Sequence, residues 1–200
     1  MTTIDLKKTE RPLYSAASDP ELVDVPPMGY LMVDGAGNPS GPEYRAAVET
    51  LYPVAYTLRA LIKEQAGLAY VVCPLEALWW SEDMTAFVTN DKDSWLWTSL
   101  IRQPPEVTPE LAKEAIERVI ETRNPPAGDA IRFDVFDEGR SAQIMHVGPF
   151  ADEGRTIQRL HAFIAEQGYV LAGKHHEIYL TDPRRTAPEK MRTLIRQPVG

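Results

Sequence analysis

Cysteine is almost absent: Cys73 is the only one in 200 residues. No intramolecular disulfide can form, and a reducing cytoplasm is the expected setting. Long apolar runs are absent as well. None approaches the roughly 20 residues needed to span a bilayer, so no membrane association is expected. The opening "MTTIDLKKTERPLY" has no apolar stretch behind its basic residues, which argues against a secretory signal. Positive charge is in deficit, with 21 Lys and Arg against 29 Asp and Glu and a net charge of −8. A direct nucleic-acid binder needs basic side chains to displace phosphate counterions, so that class is set aside. An acidic field favours cationic partners instead. What is present, 44% hydrophobic and 25% charged residues, is the balance of a globular chain, and this length buries a sizeable core.

One pentapeptide organises the rest. "LIRQP" stands at Leu100–Pro104 and again at Leu194–Pro198, 94 positions on. The flanking pattern repeats with it. In the second half "IRFDVFDEG" and "SAQIMHVGPF" alternate as strands, and "DEGRTIQRLHAFIAEQG" places Ile157, Leu160, His161 and Ile164 at helical spacing. "HHEIYLT" and "MRTLIRQP" follow as strands. In the first half "ELVDV" and "MGYLMVDG" precede a long helix over about 42–66, with Pro53 expected to kink it. "LEALWWS" and "SWLWTSLIRQP" close that half. Between the halves, "TPELAKEAIERVIETRN" predicts a surface helix capped by Thr108, with Pro109 at its first position. The expected fold is α+β: one domain over 1–200 built from tandem βαββ modules, about 21–104 and 130–198, joined by a helix over about 108–124. Duplicated modules pack as a pseudo-twofold pair, with antiparallel sheets around a central cleft and helices outside.

Strand side chains alternate between faces, which turns the duplication into a site prediction. Superposing "YLMVDGAG" on "QIMHVGPF" and "PLEALWW" on "HHEIYLT" sets Glu76 over Glu177. His175, Glu177 and Tyr179 then share the inner surface with Glu76, Leu78 and Trp80, and Met32 and Met145 join them. His176, Ile178 and Leu180, with Leu75, Ala77 and Trp79, turn toward the helices. Methionine and aromatic side chains make adaptable apolar walls, and a carboxylate among them attracts a delocalised cation. A structural role stands beside this one: either glutamate can pair with Arg102 or Arg196, and "WWSEDMTAFVTNDKDSWLW" can be plain core.

Other signals carry less. "GAGNPSG" has the wrong glycine spacing for a dinucleotide loop and lacks the Lys-Ser/Thr ending of a phosphate loop. His175 and His176 are adjacent on a strand and point apart, so no metal site is expected. His146 falls on the helix side as a buried, hydrogen-bonded histidine. Cys73 has no basic neighbour to activate it. No nucleophile elbow is present, and "DPRR" has turn chemistry.

The segments "VDVPPMGYLMVDGAGNPSG", "LYPVAYTLR", "PLEALWW", "DKDSWLWTSLIRQP", "EGRSAQIMHVGPFADE" and "HHEIYLTDPRRTAPEKMRTLIRQPVG" resemble the stand-alone GyrI-like small-molecule-binding proteins. These are relatives of the drug-binding domain of BmrR-type activators and of the SOUL haem-binding fold. The resemblance implies tandem SHS2-type βαββ modules and a ligand-marking strand acid at Glu177. Binding members meet bulky lipophilic cations in an aromatic pocket. Other members hydrolyse cyclopropane-bearing DNA alkylators of the yatakemycin and CC-1065 type, which implies Glu177 as general base with Tyr179 nearby and tryptophans holding the planar drug. No helix-turn-helix precedes the domain, so it is not expected to regulate transcription alone.

Two functions are therefore carried forward. One is a multidrug-type binding module for planar, lipophilic, often cationic compounds, lined by Glu177, Tyr179, Trp80, Glu76, Met32, Met145 and His175. The other is a cyclopropanoid hydrolase with Glu177 and Tyr179 as catalytic residues. Neither requires a cofactor or a metal. The sequence leaves open the oligomeric state, the physiological ligand and any gyrase contact.

Overall fold

The computed structural model describes residues 3–82 and 91–200. The span 83–90 of the tryptophan-rich run lies outside the described residues. Two short strands, β1 (Thr3–Ile4) and β4 (Ala69–Tyr70), pair with each other, and two single-turn helices, α1 (Leu6–Thr9) and α2 (Arg11–Tyr14), follow β1. The main body is a mixed α+β unit. Its strands are β2 (Glu21–Val25), β3 (Met28–Ala36), β5 (Leu75–Trp80), β6 (Leu96–Arg102), β7 (Arg132–Phe136), β8 (Gly139–Val147), β9 (His175–Tyr179) and β10 (Arg192–Pro198). All eight join one antiparallel sheet in the order β2-β8-β10-β9-β5-β6-β3-β7. The halves thus meet edge to edge at the β5–β9 pair. Each module's leading strand is exchanged: β2 lies on β8 of the second half, and β7 lies on β3 of the first.

Helix boundaries follow local chemistry. The helix α3 (Pro42–Ala66) starts with proline at its first position and stops at Gly67, whose φ of 66° is the left-handed conformation that glycine adopts freely. It continues through Pro53. The helix α4 (Pro109–Arg123) joins the halves; Thr108 caps it, accepting from the Leu111 N–H at 3.3 Å, and Asn124 ends it at φ 42°. It buries Ala112, Ala115 and Val119 and packs against α3 and β7. The helix α5 (Glu153–Glu166) lies on β8.

Both module helices cover the same sheet face. On its buried side α3 presents Leu51, Val54, Leu58, Leu61 and Ile62, all at most 2% exposed. A separate cluster joins Leu160 and Ile164 of α5 to Ala142, Ile144 and Ile195 of the sheet. His146 bridges β8 to α5, with Nδ1 2.9 Å from the Thr156 hydroxyl and Nε2 3.2 Å from the Pro149 carbonyl, a buried histidine as expected. The N-terminal helices cover the other face. Both LIRQP arginines hold them: Arg102 binds Glu10 at 2.6 Å and Arg196 donates to the Leu13 carbonyl at 2.6 Å. The repeat is therefore a pair of equivalent grips on one arm.

Strand register gives the duplication an internal check. Leu100 pairs with Met32 and Glu76, and Leu194 pairs with Met145 and Ile178. The LIRQP and Met32/Met145 equivalences therefore hold, but the counterpart of Glu76 is Ile178, one residue beyond Glu177. Directly paired residues share a sheet face. Ala77 pairs with Glu177 and Trp79 with His175, whereas Leu78 pairs with His176. The expected common face for Glu76, Trp80 and Glu177 is thus corrected. His175, Glu177 and Tyr179 point to the helix side with Trp79, and His176 and Ile178 point away from it. Glu76, Leu78, Trp80, Met32 and Met145 lie on the face opposite Glu177.

Candidate functional site

The helix-side site forms where the two modules meet. α3 and α5 each pack over their own half of the sheet, and β5 and β9 run between them. Polar side chains line this seam. Glu177 keeps 14% side-chain exposure and His175 16%. The Tyr179 hydroxyl donates to Glu177 Oε2 at 2.7 Å, and His175 Nε2 lies 3.3 Å from Oε1. The Trp79 indole N–H reaches the Tyr179 oxygen at 3.3 Å and also faces the carboxylate. Burial alone pushes the Glu177 carboxyl up, but the contacts with His175, Tyr179 and Trp79 outweigh it and hold the group below the usual carboxylate range. Glu177 is therefore an ionised, oriented base at neutral pH.

Aromatic rings surround it. Tyr44 from α3 stacks on Trp79 at 5.5 Å and meets Trp97 edge-on at 5.1 Å. Trp95 meets Trp79 edge-on at 5.7 Å, and the half-exposed Phe150 meets Tyr179 edge-on at 5.6 Å. Gly35 makes room for this wall, because a Cβ there would stand 2.2 Å from the Trp97 ring. Burial and the Glu177 charge drive the Tyr179 phenol well above its ordinary value, so it remains a donor.

A second carboxyl completes the site, and the sequence reading missed it. Glu153, the first residue of α5, is 5% exposed and faces Glu177 and the Thr193 hydroxyl. Burial, then the Glu177 charge, pushes Glu153 up to about 9. Its signal was present: Glu153, Ile157, His161 and Ile164 fall on one helical face, the face that α5 turns to the sheet.

The opposite face holds the remaining predicted residues in three settings. Glu76, 1% exposed, belongs to a buried ionic chain. His176 Nε2 is 3.0 Å from Glu76 and Nδ1 is 2.9 Å from Glu138, which also binds Arg196 at 3.1 Å. Both imidazole nitrogens face carboxylates, so both carry protons and the ring is cationic. Desolvation opposes that charge, but Glu138 and Glu76 outweigh it and raise His176 to about 9, and His176 and Arg196 bring Glu138 down to about 2. Arg196 does pair with an acid, though with Glu138 rather than with either candidate glutamate. Trp80 and Met32 line a cleft of about 670 Å³ with Asp34, Leu78, Arg132 and Lys174. The Lys174 amino group lies 3.2 Å from the Trp80 ring centroid. Met145 is buried at 8% exposure. Among the described residues no cluster of three or more His, Cys, Asp or Glu is arranged to hold a metal ion, and no helix is long and apolar enough to cross a membrane. Burial pushes the Cys73 thiol up to about 12, which leaves it inert.

Comparison with known proteins agrees with this architecture. An uncharacterized conserved protein from Listeria innocua is 42% identical over 99% of this chain and 100% of its own, with a TM-score of 0.92. A hydrolase from Listeria innocua is 39% identical, covering 99% of this chain and 100% of that one, with a TM-score of 0.86. The C-terminal domain of EcmrR shares the fold at a TM-score of 0.56 and 13% identity, over 91% of this chain and 97% of that one. No curated protein matches. The GyrI-like small molecule binding domain matches residues 18–199, and the chain belongs to that family.

Proposed function

We propose that this protein is a hydrolase that takes bulky, planar, lipophilic electrophiles into the aromatic seam between α3 and α5 and opens them with water activated by Glu177. The observation that carries the reading is the Glu177 carboxylate, ionised and fixed by Tyr179 and His175, partly open among Trp79, Tyr44, Tyr179 and Phe150. The full-length likeness to a protein described as a hydrolase supports it, as does the resemblance to members that act on cyclopropane-bearing alkylators. A spirocyclopropane conjugated to a dienone is strained and already electrophilic, so positioning and one base supply most of the help. Glu177 takes a proton from water, and the water oxygen bonds to the cyclopropane methylene. The strained C–C bond breaks, its electrons reach the dienone carbonyl as phenolate, and protonation gives the phenol. Tyr179 positions Glu177, and the indole and phenol rings hold the flat substrate.

The test is incubation with a CC-1065-type alkylator, following addition of water by mass. Turnover is expected in the wild type and a drop of about 100-fold or more in Glu177→Gln, the usual scale of general-base catalysis. Equal turnover in the variant removes the assignment. The same acidic, aromatic seam favours a second reading, capture of lipophilic cations without chemistry. Saturable quenching of tryptophan emission by a rhodamine, with the alkylator left intact, would favour that one.

A further inference from the structure

Among the described residues the Glu153 carboxyl is a buried acid that faces no cation, only the Thr193 hydroxyl and the Glu177 carboxylate. It is 5% exposed, and its Oε1 has no hydrogen-bond donor. Among the described residues no Lys, Arg or His forms an ion pair with it, although buried carboxylates are almost always paired. It faces the Glu177 carboxylate instead. Two carboxylates that face each other in a buried seam repel, and a single proton between them removes the repulsion and supplies the missing hydrogen bond. The other titratable groups around the pair are Tyr179 and His175 on β9, Tyr44 from α3, and His161 two turns along α5. Tyr179 and His175 are engaged with Glu177, so none of these neutralises Glu153.

We propose that Glu153 is the proton-holding partner of Glu177: the two carboxyls share one proton, which resides on Glu153 at neutral pH and keeps Glu177 ionised and aimed at the water. Its role rests on the hydrolase reading above, and Glu153 acts through Glu177 as a positioning residue. As Glu177 accepts the proton of water, the Glu153 carboxyl turns from donor to either partner, so the site closes the step without a buried bare charge. Protonation of the phenolate on product release returns the pair to one shared proton.

Two measurements separate this inference from the reading beneath it. In the free protein, infrared difference spectra between pH 7 and pH 10.5 should show loss of a protonated carboxyl carbonyl band, centred near the value of about 9 given above. That band should vanish in Glu153→Gln. A band unchanged by the substitution, or no band at all, overturns the shared proton whatever the alkylator assay shows. With the alkylator, Glu153→Gln retains an amide donor but cannot ionise. Its activity at pH 7 should stay within about tenfold of wild type while the alkaline limb of the pH profile disappears. An unchanged alkaline limb overturns the role. Glu153→Leu, checked for folding by circular dichroism, should lose more activity at pH 7 than Glu153→Gln, and equal activity in the two variants also counts against it. If the infrared band behaves as stated and no variant turns over alkylator, the pair stands and the hydrolase reading falls.

Discussion

Replacing Glu138 by glutamine tests the buried ionic chain on the sheet face away from the seam. Glu138 binds His176 at 2.9 Å and Arg196 at 3.1 Å, with all three side chains at most 1% exposed. Taking Glu138 from 4.5 to about 2, or His176 from 6.5 to about 9, corresponds to about 3 kcal/mol in either direction. The two figures describe one contact and count once. Glu138 contributes above pH 4.5, and the contribution is lost as pH falls through about 2. His176 contributes below pH 6.5, and that part is lost as pH rises through about 9. The wild type therefore gains in full only between about pH 4.5 and 6.5. Glu138→Gln should lose about 3 kcal/mol at pH 6, the scale for breaking one partner out of a buried pair. The deficit should narrow toward pH 10, leaving the Arg196 share. Urea unfolding followed by tryptophan emission at pH 5, 6, 8 and 10 reads this directly. A variant as stable as its parent at pH 6, or a deficit that is flat with pH, would refute the reasoning.

Gly35→Ala drives a Cβ to 2.2 Å from the Trp97 ring. A loss of about 1–3 kcal/mol and a changed near-ultraviolet dichroism spectrum are expected, and wild-type values for both would count against the packing described. Thr50→Val strips the Ala127 N–H of the hydroxyl that it meets at 3.0 Å; chemical denaturation should register about 1–3 kcal/mol. Arg102→Met releases Glu10 and the Tyr14 hydroxyl. Amide exchange should then quicken over residues 6–14 while β8 and β10 keep their protection, and uniform acceleration would mean the arm is not a separate unit. Glu153→Gln should be more stable than wild type, by a margin that grows from pH 5 to pH 9, because above about 4.5 the unfolded chain releases the proton that the folded carboxyl holds up to about 9, which costs the wild type stability across that window. Thermal melts across that range check it.

Much of the fold was legible because the local rules agreed with one another. Period-two alternation found the eight strands of the main sheet but not β1 and β4, Thr108-Pro109 marked the start of α4, and LIRQP fixed the equivalence of β6 and β10. The site was harder for a definite reason. Glu76 and Glu177 look like counterparts, and aligning them places both on one face; the pairing of Leu100 with Glu76 and of Leu194 with Ile178 shows a one-residue offset, and one residue reverses a strand's face. Nothing local encodes that pairing, since antiparallel register comes from turns and packing across the whole sheet. Glu153 was not singled out in the sequence, because its burial depends on a strand 24 residues downstream. The two single-turn helices near the N-terminus gave no period to read, and their place is set by Arg102 and Arg196 from far along the chain.

The exchange of leading strands bears on how such a chain is made. During synthesis the outer rim of β3 has no neighbour until residues 132–136 have emerged, and β2 waits for β8 at 139–147. Neither half completes its hydrogen-bond ladder alone, so a chain cut within α4 leaves two fragments that each present an open edge. Those edges suit each other, and fragments mixed in equal amounts should reassemble where either alone would clump.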